Sequence, residues 1–157
     1  MLLFCLIMIV LDYRCQKLIY EDVLCLLTKA ENSFTPSLSQ NIPYTLEEYA
    51  KKLSENASFV VVEDNEEAIG FVAYYTNIEG GFVYIPQIWV SDFYQRKGVG
   101  SSMVDMLISN VPSIIRSIRL EVRKNNEKAL SFYVKNQYVV IDEKGDKYLM
   151  EKLIVKN

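Results

Sequence analysis

YIPQIWVSDFYQRKGVGSSMVDM, residues 84–106, decides how the rest of this chain is read. Ile85, Ile88 and Val90 mark an apolar strand, and a short polar turn closes on Gly98-Val99-Gly100. Val99, Met103, Met106 and Leu107 then recur at helical spacing, and Asn110 and Pro112 stop the helix. Strand, glycine turn and helix in this order build a cradle for an anion. Glycines let the backbone approach a ligand closely. The unpaired N–H groups of a helix's first turn point at negative charge, with the helix dipole behind them. Gly98, Val99, Gly100 and Ser101 are the candidates for that turn; Gln95, Arg96 and Lys97 add donors and two positive charges just ahead of it.

Three other readings compete. A dinucleotide-binding G-x-G-x-x-G fails at Met103, which takes the third glycine's place, although Glu121 stands at the distance of a ribose-binding acid. A motif beginning near residue 98 also leaves too little chain for a full dinucleotide fold. A G-x-x-x-x-G-K-[ST] loop is absent, and a plain strand–turn–helix connection would hold no ligand.

The block Ile118–Tyr138 discriminates among these. IRLEV alternates Leu120 and Val122 against Arg119, Glu121 and Arg123, the pattern of a strand. Asn125 or Asn126 then caps a helix carrying Ala129, Leu130, Phe132 and Tyr133. With both blocks in view, the chain resembles the GNAT superfamily of acyl-CoA-dependent N-acyltransferases. Q-R-K-G-V-G matches the family's Gln/Arg-x-x-Gly-x-Gly/Ala pyrophosphate loop at Gln95, Gly98 and Gly100. N-E-K-A-L-S-F-Y matches its Asn-x-x-Ala-x-x-x-Tyr signature at Asn126, Ala129 and Tyr133. The likeness is carried mainly by residues 82–141. One departure stands out: the family usually has Gly-Phe after the tyrosine, and this chain has Gln137-Tyr138. Tyr138 replaces the packing aromatic, and Asn136, which tolerates left-handed backbone, is expected to make the turn.

The resemblance implies an α/β (α+β) fold, a mixed and mostly antiparallel sheet of roughly six or seven strands flanked by about four helices. It also implies a V-shaped split between two central strands, here 82–90 and 117–122. The implied activity is acetyl transfer from acetyl-CoA to a primary amine of a small molecule or amino sugar, by direct attack in a ternary complex. A protein N-terminal or lysine acetyltransferase and a catalytically silent acyl-CoA-binding module are the alternatives. Intact Tyr133 beside Gly98 and Gly100 favours an active enzyme. By the same resemblance, backbone N–H groups around Trp89 and Val90 hold the pantetheine arm and polarise the carbonyl. Tyr133 donates a proton to the leaving thiolate, and Asn126 caps its helix and contacts the cofactor. Glu121 is the candidate base, with Tyr84 assisting. The plainer readings are that Glu121 pairs with Arg119 or Arg123 on a solvated face and that Trp89 fills the core. No metal is implied.

Composition fits such an enzyme. The 157 residues, 50% of them apolar, suffice for one domain over 1–157 with its own core. A net charge of −3 and a pI near 5.1 argue against a nucleic-acid partner. The absence of histidine excludes Ser-His-Asp and Cys-His catalysis and removes the commonest metal ligand. Cys5, Cys15 and Cys25 form no C-x-x-C pair and read as reduced thiols of a cytoplasmic protein. The apolar run Met1–Leu11 is too short to span a bilayer. It has no preceding Lys or Arg and no cleavage site of a signal peptide. It is expected to extend the core as a strand or helix, with a membrane-surface or homodimer contact as the alternative.

Elsewhere the pattern predicts a helix over Glu21–Ala30, a loop over Asn32–Pro43, and a helix capped by Thr45 with Glu48 completing a capping box. A hairpin joins Phe59–Glu63 to Ala68–Thr76 around Asp64-Asn65-Glu66. Turns are expected at Gly80-Gly81 and Lys144-Gly145-Asp146. Glu47, Glu48, Glu63, Asp64, Glu66, Glu67 and Glu79 are expected on the substrate side, and Arg96, Lys97, Arg116, Arg119, Arg123 and Lys124 near the phosphates. A field so divided suits an amine without a neighbouring anionic group; a solvated acidic face is the alternative.

Overall fold

β-Branched and aromatic residues dominate SFVVVED and EAIGFVAYYTN, and both form strands joined by a tight turn. A computed structural model describes residues 11–34 and 36–155, so the run expected to extend the core lies, over residues 1–10, outside the described part. The strands are β1 (Asp12–Gln16), β2 (Ser58–Asp64), β3 (Glu67–Asn77), β4 (Phe82–Val90), β5 (Ser117–Arg123), β6 (Val139–Lys144) and β7 (Lys147–Leu153). The helices are α1 (Tyr20–Ala30), α2 (Leu38–Asn41), α3 (Leu46–Asn56), α4 (Val99–Asn110) and α5 (Glu127–Lys135). The sheet runs β1-β2-β3-β4-β5-β7-β6. Among the described residues only β4 and β5 pair in parallel; every other neighbouring pair is antiparallel. This is the mixed sheet the sequence implies.

Helices cover the sheet on both sides but unequally. Val99, Met103, Val104 and Leu107 of α4 and Tyr133 of α5 pack on Val72, Val83, Ile85, Ile118, Leu120, Val122 and Met150. On the other face Val23, Leu26 and Leu27 of α1 and Tyr49, Ala50 and Leu53 of α3 bury Phe59, Val61, Phe71, Ala73 and Trp89. That second core draws on β2, β3 and β4 alone. Among the described residues, no helix of that core packs on the same face of β5 and β7, where strand alternation puts Arg119, Glu121, Arg123, Lys147, Leu149 and Glu151; this side is termed the uncovered face.

The central feature is a parting of β4 from β5. Their ladder consists of Phe82 with Ser117, Val83 with Ile118 and Tyr84 with Arg119, and stops there. Against β3, Tyr75 faces Tyr84 but Ala73 faces Gln87, so Ile85 and Pro86 together stand opposite Tyr74. Such a bulge bends its strand, and Pro86 has no N–H to offer a neighbour. The expected V thus opens where the sequence places its one in-strand proline.

Local signals explain most of the remainder. Thr45 and Glu48 cap α3 reciprocally, with Glu48 N–H donating to Thr45 Oγ1 over 3.1 Å and Thr45 N–H to Glu48 Oε2 over 2.9 Å. The segment expected to be a loop contains the single-turn α2, held by Ser37 and Gln40. A strand begins at Asp12, just past the apolar run, pairing Asp12–Gln16 with Phe59–Glu63. Cys15 is a half-buried free thiol and Cys25 an exposed one. No helix among the described residues is long and apolar enough to cross a membrane.

One expected turn residue is wrong. Asn136 has φ −91°, and Gln137 takes the left-handed conformation at φ 71°. Gln137 N–H donates to the Val134 carbonyl and Tyr138 N–H to the Tyr133 carbonyl, at 3.1 and 2.9 Å. These two bonds define a Schellman end whose left-handed residue is normally glycine, so Gln137 holds the strained geometry itself.

Candidate active site

The parting leads directly to the glycine turn. From Val90 the chain passes a 3-10 turn, Asp92–Tyr94, to Gly98, which caps α4 with φ 80° and ψ 6°. L-residues rarely adopt that conformation. A Cβ on Gly98 would meet nothing within 4 Å, so the turn borders open space. Ser102 N–H is the first to reach back, donating to the Gly98 carbonyl at 3.0 Å. The N–H groups before it, through Ser101, have no partner within the helix. First-turn N–H groups of this kind are suited to holding an anion.

Several side chains expected to bind the anion brace the loop instead. Gln95 Nε2 donates to the Val90 carbonyl at 3.0 Å, and Gln95 Oε1 accepts from Lys128 Nζ at 2.8 Å. Lys97 Nζ folds back onto the Phe93 carbonyl at 2.7 Å and lies 3.7 Å from the Phe93 ring centre. Ser101 Oγ donates to Asn136 Oδ1 at 2.8 Å, tying the start of α4 to the end of α5. Arg96, exposed at φ 61°, has no ion pair among the described residues and remains the cation of the loop. Gly100 serves packing: a Cβ there would come within 3.2 Å of the Phe132 ring.

Trp89 fills the core, the plainer of its two readings. It is 6% exposed, packs 6.1 Å from the Phe71 ring and donates from Nε1 to Ser33 Oγ at 2.9 Å. Val90 is different. Ser91 N–H bonds to Ile69 of β3, so by strand alternation the N–H and carbonyl of Val90 face the parting.

Tyr133 lies on the inner face of α5 with 8% of its surface accessible, edge-on to Phe132 and Tyr138 at 5.3 and 5.2 Å. Burial holds its pKa far above the usual phenol value, so it stays protonated. Asn126 does what a cap residue does, its Oδ1 accepting from Ala129 N–H at 3.1 Å.

Glu121 and Tyr84 meet on the uncovered face. Tyr84 and Arg119 form the last rung before the parting, and Glu121 follows two residues on, on the same side. Burial first, then the Glu121 and Tyr75 charges, push the Tyr84 hydroxyl up to about 12. Tyr75, the register neighbour of Tyr84 on β3, and Tyr49, whose hydroxyl donates to the Pro86 carbonyl at 3.5 Å, are also held above the usual phenol value mainly by burial. Tyr75's hydroxyl is enclosed without a partner. Glu121 does not pair with Arg119 or Arg123. Arg119 binds Glu151 at 2.7 Å and Arg123 binds Asp146 at 3.2 Å, whereas Glu121 contacts Lys144 at 3.5 Å and Lys147 at 3.9 Å. Sequence reasoning missed both lysines. Alternation along β7 places Lys147 on the Glu121 face, but only once the register is known.

The expected division of charge is not found. Glu63, Asp64, Glu66 and Glu67 surround the β2–β3 turn, where Asp64 accepts from the Tyr94 hydroxyl, beside the loop that leads to Gly98. Arg119 and Arg123 stand on the uncovered face with Glu121. Local strand geometry, which the charge count ignores, decides both placements.

A fold split in this way, with a glycine-capped helix at the mouth, defines an acyltransferase architecture, and comparison with known proteins agrees. A model of the acetyltransferase (GNAT) family matches residues 24–138. The chain belongs to that family and is an acetyltransferase. The PaiA N-acetyltransferase of Thermoplasma acidophilum, solved with coenzyme A, superposes with a TM-score of 0.71 at 21% identity over 91% of this chain and 99% of that one. The ribosomal-protein-S18-alanine N-acetyltransferase of Escherichia coli gives 0.68 at 16% identity over 93% and 96%. Arabidopsis thaliana NAA60 with acetyl-CoA gives 0.68 at 18% over 92% and 100%. No curated protein sequence matches the chain.

Proposed function

We propose that the chain is a single-domain enzyme that moves an acetyl group from acetyl-CoA to a primary amine. The observation that carries this reading is the parting of β4 from β5 beyond Tyr84 and Arg119, beside a left-handed Gly98 at the start of α4. The donor supplies a thioester whose carbonyl carbon accepts a nucleophile and whose sulfur leaves. The first-turn N–H groups of α4, with Arg96, hold its pyrophosphate; the Val90 N–H lies along the parting to hold the arm and polarise the carbonyl. Gln95, Lys97 and Lys128 fix the loop that makes this possible.

The acceptor enters from the uncovered face between Tyr84 and Glu121. Glu121 takes the proton that the nitrogen sheds as the C–N bond forms and the C–S bond breaks. Tyr133, kept protonated by burial, donates a hydrogen bond to the thiolate as charge develops there. The acceptor is a small amine or amino sugar. A peptide α-amine is the second reading, supported by the side of β5 and β7 on which no helix of the second core packs among the described residues. The test is thiol release from acetyl-CoA across amines, amino sugars and peptides, with the product's gain of one acetyl group read by mass spectrometry. Acetyl-CoA turnover that no acceptor accelerates would contradict the reading.

A further inference from the structure

The uncovered face carries a row of cations that this mechanism does not use. Arg123, Lys147 and Lys144 are register neighbours across β5, β7 and β6. Like charges directly opposite one another in a sheet repel. Their counter-charges are sparse. Asp146 meets Arg123 at 3.2 Å but is 70% exposed, so solvent weakens the pair. Glu121, 25% exposed, is the more sheltered partner, and it serves Lys144 and Lys147 together at 3.5 and 3.9 Å.

That sharing conflicts with catalysis. When Glu121 accepts the amine's proton its charge disappears, and the two lysines lose the carboxylate they share. An acceptor bringing its own anion would restore the balance at that moment. The lysine ammoniums stand one ion-pair length from Glu121, so the anion belongs close to the reacting nitrogen.

Resting on the acetyltransferase reading above, we propose that the acceptor is a primary amine bearing a carboxylate or phosphate, and that Lys144 and Lys147 bind that anionic group. The anion has two possible sources, a small amino acid or aminophosphate, or an acidic side chain next to a peptide's N-terminus. Both present the same chemistry to the lysines.

The experiment measures kcat/KM at fixed ionic strength for three matched pairs: β-alanine with β-alaninamide, O-phosphoethanolamine with ethanolamine, and an Ala-Glu with an Ala-Gln peptide, both amidated at the C-terminus. The wild-type enzyme should favour the anionic member of at least one pair by about tenfold, the worth of two half-exposed ion pairs. The pair showing the gap identifies the source. In a Lys144→Gln/Lys147→Gln double variant the gap should close, and added salt should narrow it in the wild type. Acetylation indifferent to the anion, or a gap surviving in the double variant, overturns this inference and leaves acetyl transfer standing. A higher KM for acetyl-CoA with the gap unchanged also overturns it, assigning the lysines to the donor. No turnover of any amine overturns both readings.

Discussion

At the scale of single residues, Tyr133 and Gln137 separate chemistry from folding. Tyr133→Phe keeps both edge-on ring contacts and removes only the hydroxyl. Its turnover should fall by roughly 10²–10⁴ while acetyl-CoA affinity is nearly unchanged. Equal kcat in the two proteins would return Tyr133 to a packing role. Gln137 is strained at φ 71° and its side chain is exposed. Gln137→Gly should relieve that strain and stabilise the fold by about 1 kcal/mol. For a chain of this size that is a Tm rise of about 2–4 °C, and a lower Tm would contradict the account. The residue's own sequence hides this, because Asn136 is the better left-handed former. The two backbone bonds to Val134 and Tyr133, together with Tyr138 packing on Tyr133, decide the position.

At the scale of elements, the approach of α4 to α5 is the contact most sensitive to change. A side chain at Gly100 meets Phe132 at 3.2 Å, so Gly100→Leu should destabilise the fold by about 1–3 kcal/mol. Denaturant unfolding measures this; an unchanged midpoint would show that Phe132 can give way. The strand–helix–strand–helix run from β4 to α5 was legible because hydrophobic period, glycines and the Asn cap agree along it. The hairpin and the capping box of α3 were legible for the same reason. What stayed hidden depends on pairing. β1 shows only five residues of alternation, and α2 is one turn long. The partners of Glu121 come from β6 and β7, whose register against β5 no local pattern states. The site divides likewise. The left-handed Gly98 turn, the inner-face place of Tyr133 and the shared face of Tyr84 and Glu121 were readable from motif and alternation, whereas the bracing contacts of Gln95, Lys97 and Ser101 follow from their three-dimensional neighbours.

At the scale of the whole molecule, pH dependence follows from a histidine-free chain with buried tyrosines. Tyr49, Tyr84, Tyr133 and Tyr138 are all raised in the folded state, chiefly by burial. An unfolded tyrosine ionises near 10. Above that pH the unfolded chain releases protons that the folded one retains, so the tyrosines' contribution to stability is fully present below about pH 10 and falls as pH climbs toward the folded values. With no histidine to titrate, stability should change little between about pH 6 and 8, above which the unfolded chain's Cys15, whose thiol is raised by burial in the folded state, begins to lose its proton. Denaturant midpoints across that range and up to about pH 11 test this; a plateau past pH 10 would contradict it.

The central claim is that the parting of β4 and β5 and the Gly98 turn form an acetyl-CoA site. Calorimetric titration of acetyl-CoA into the wild-type protein and into Gly98→Glu tests it most directly. Gly98 is the cleaner position of the two glycines, because its Cβ points into open space and not onto Phe132. The added carboxylate would occupy the pyrophosphate's volume and oppose its charge. The account predicts saturable binding by the wild type and its loss in a Gly98→Glu protein whose circular dichroism is native. Equal affinity in the two proteins would contradict it.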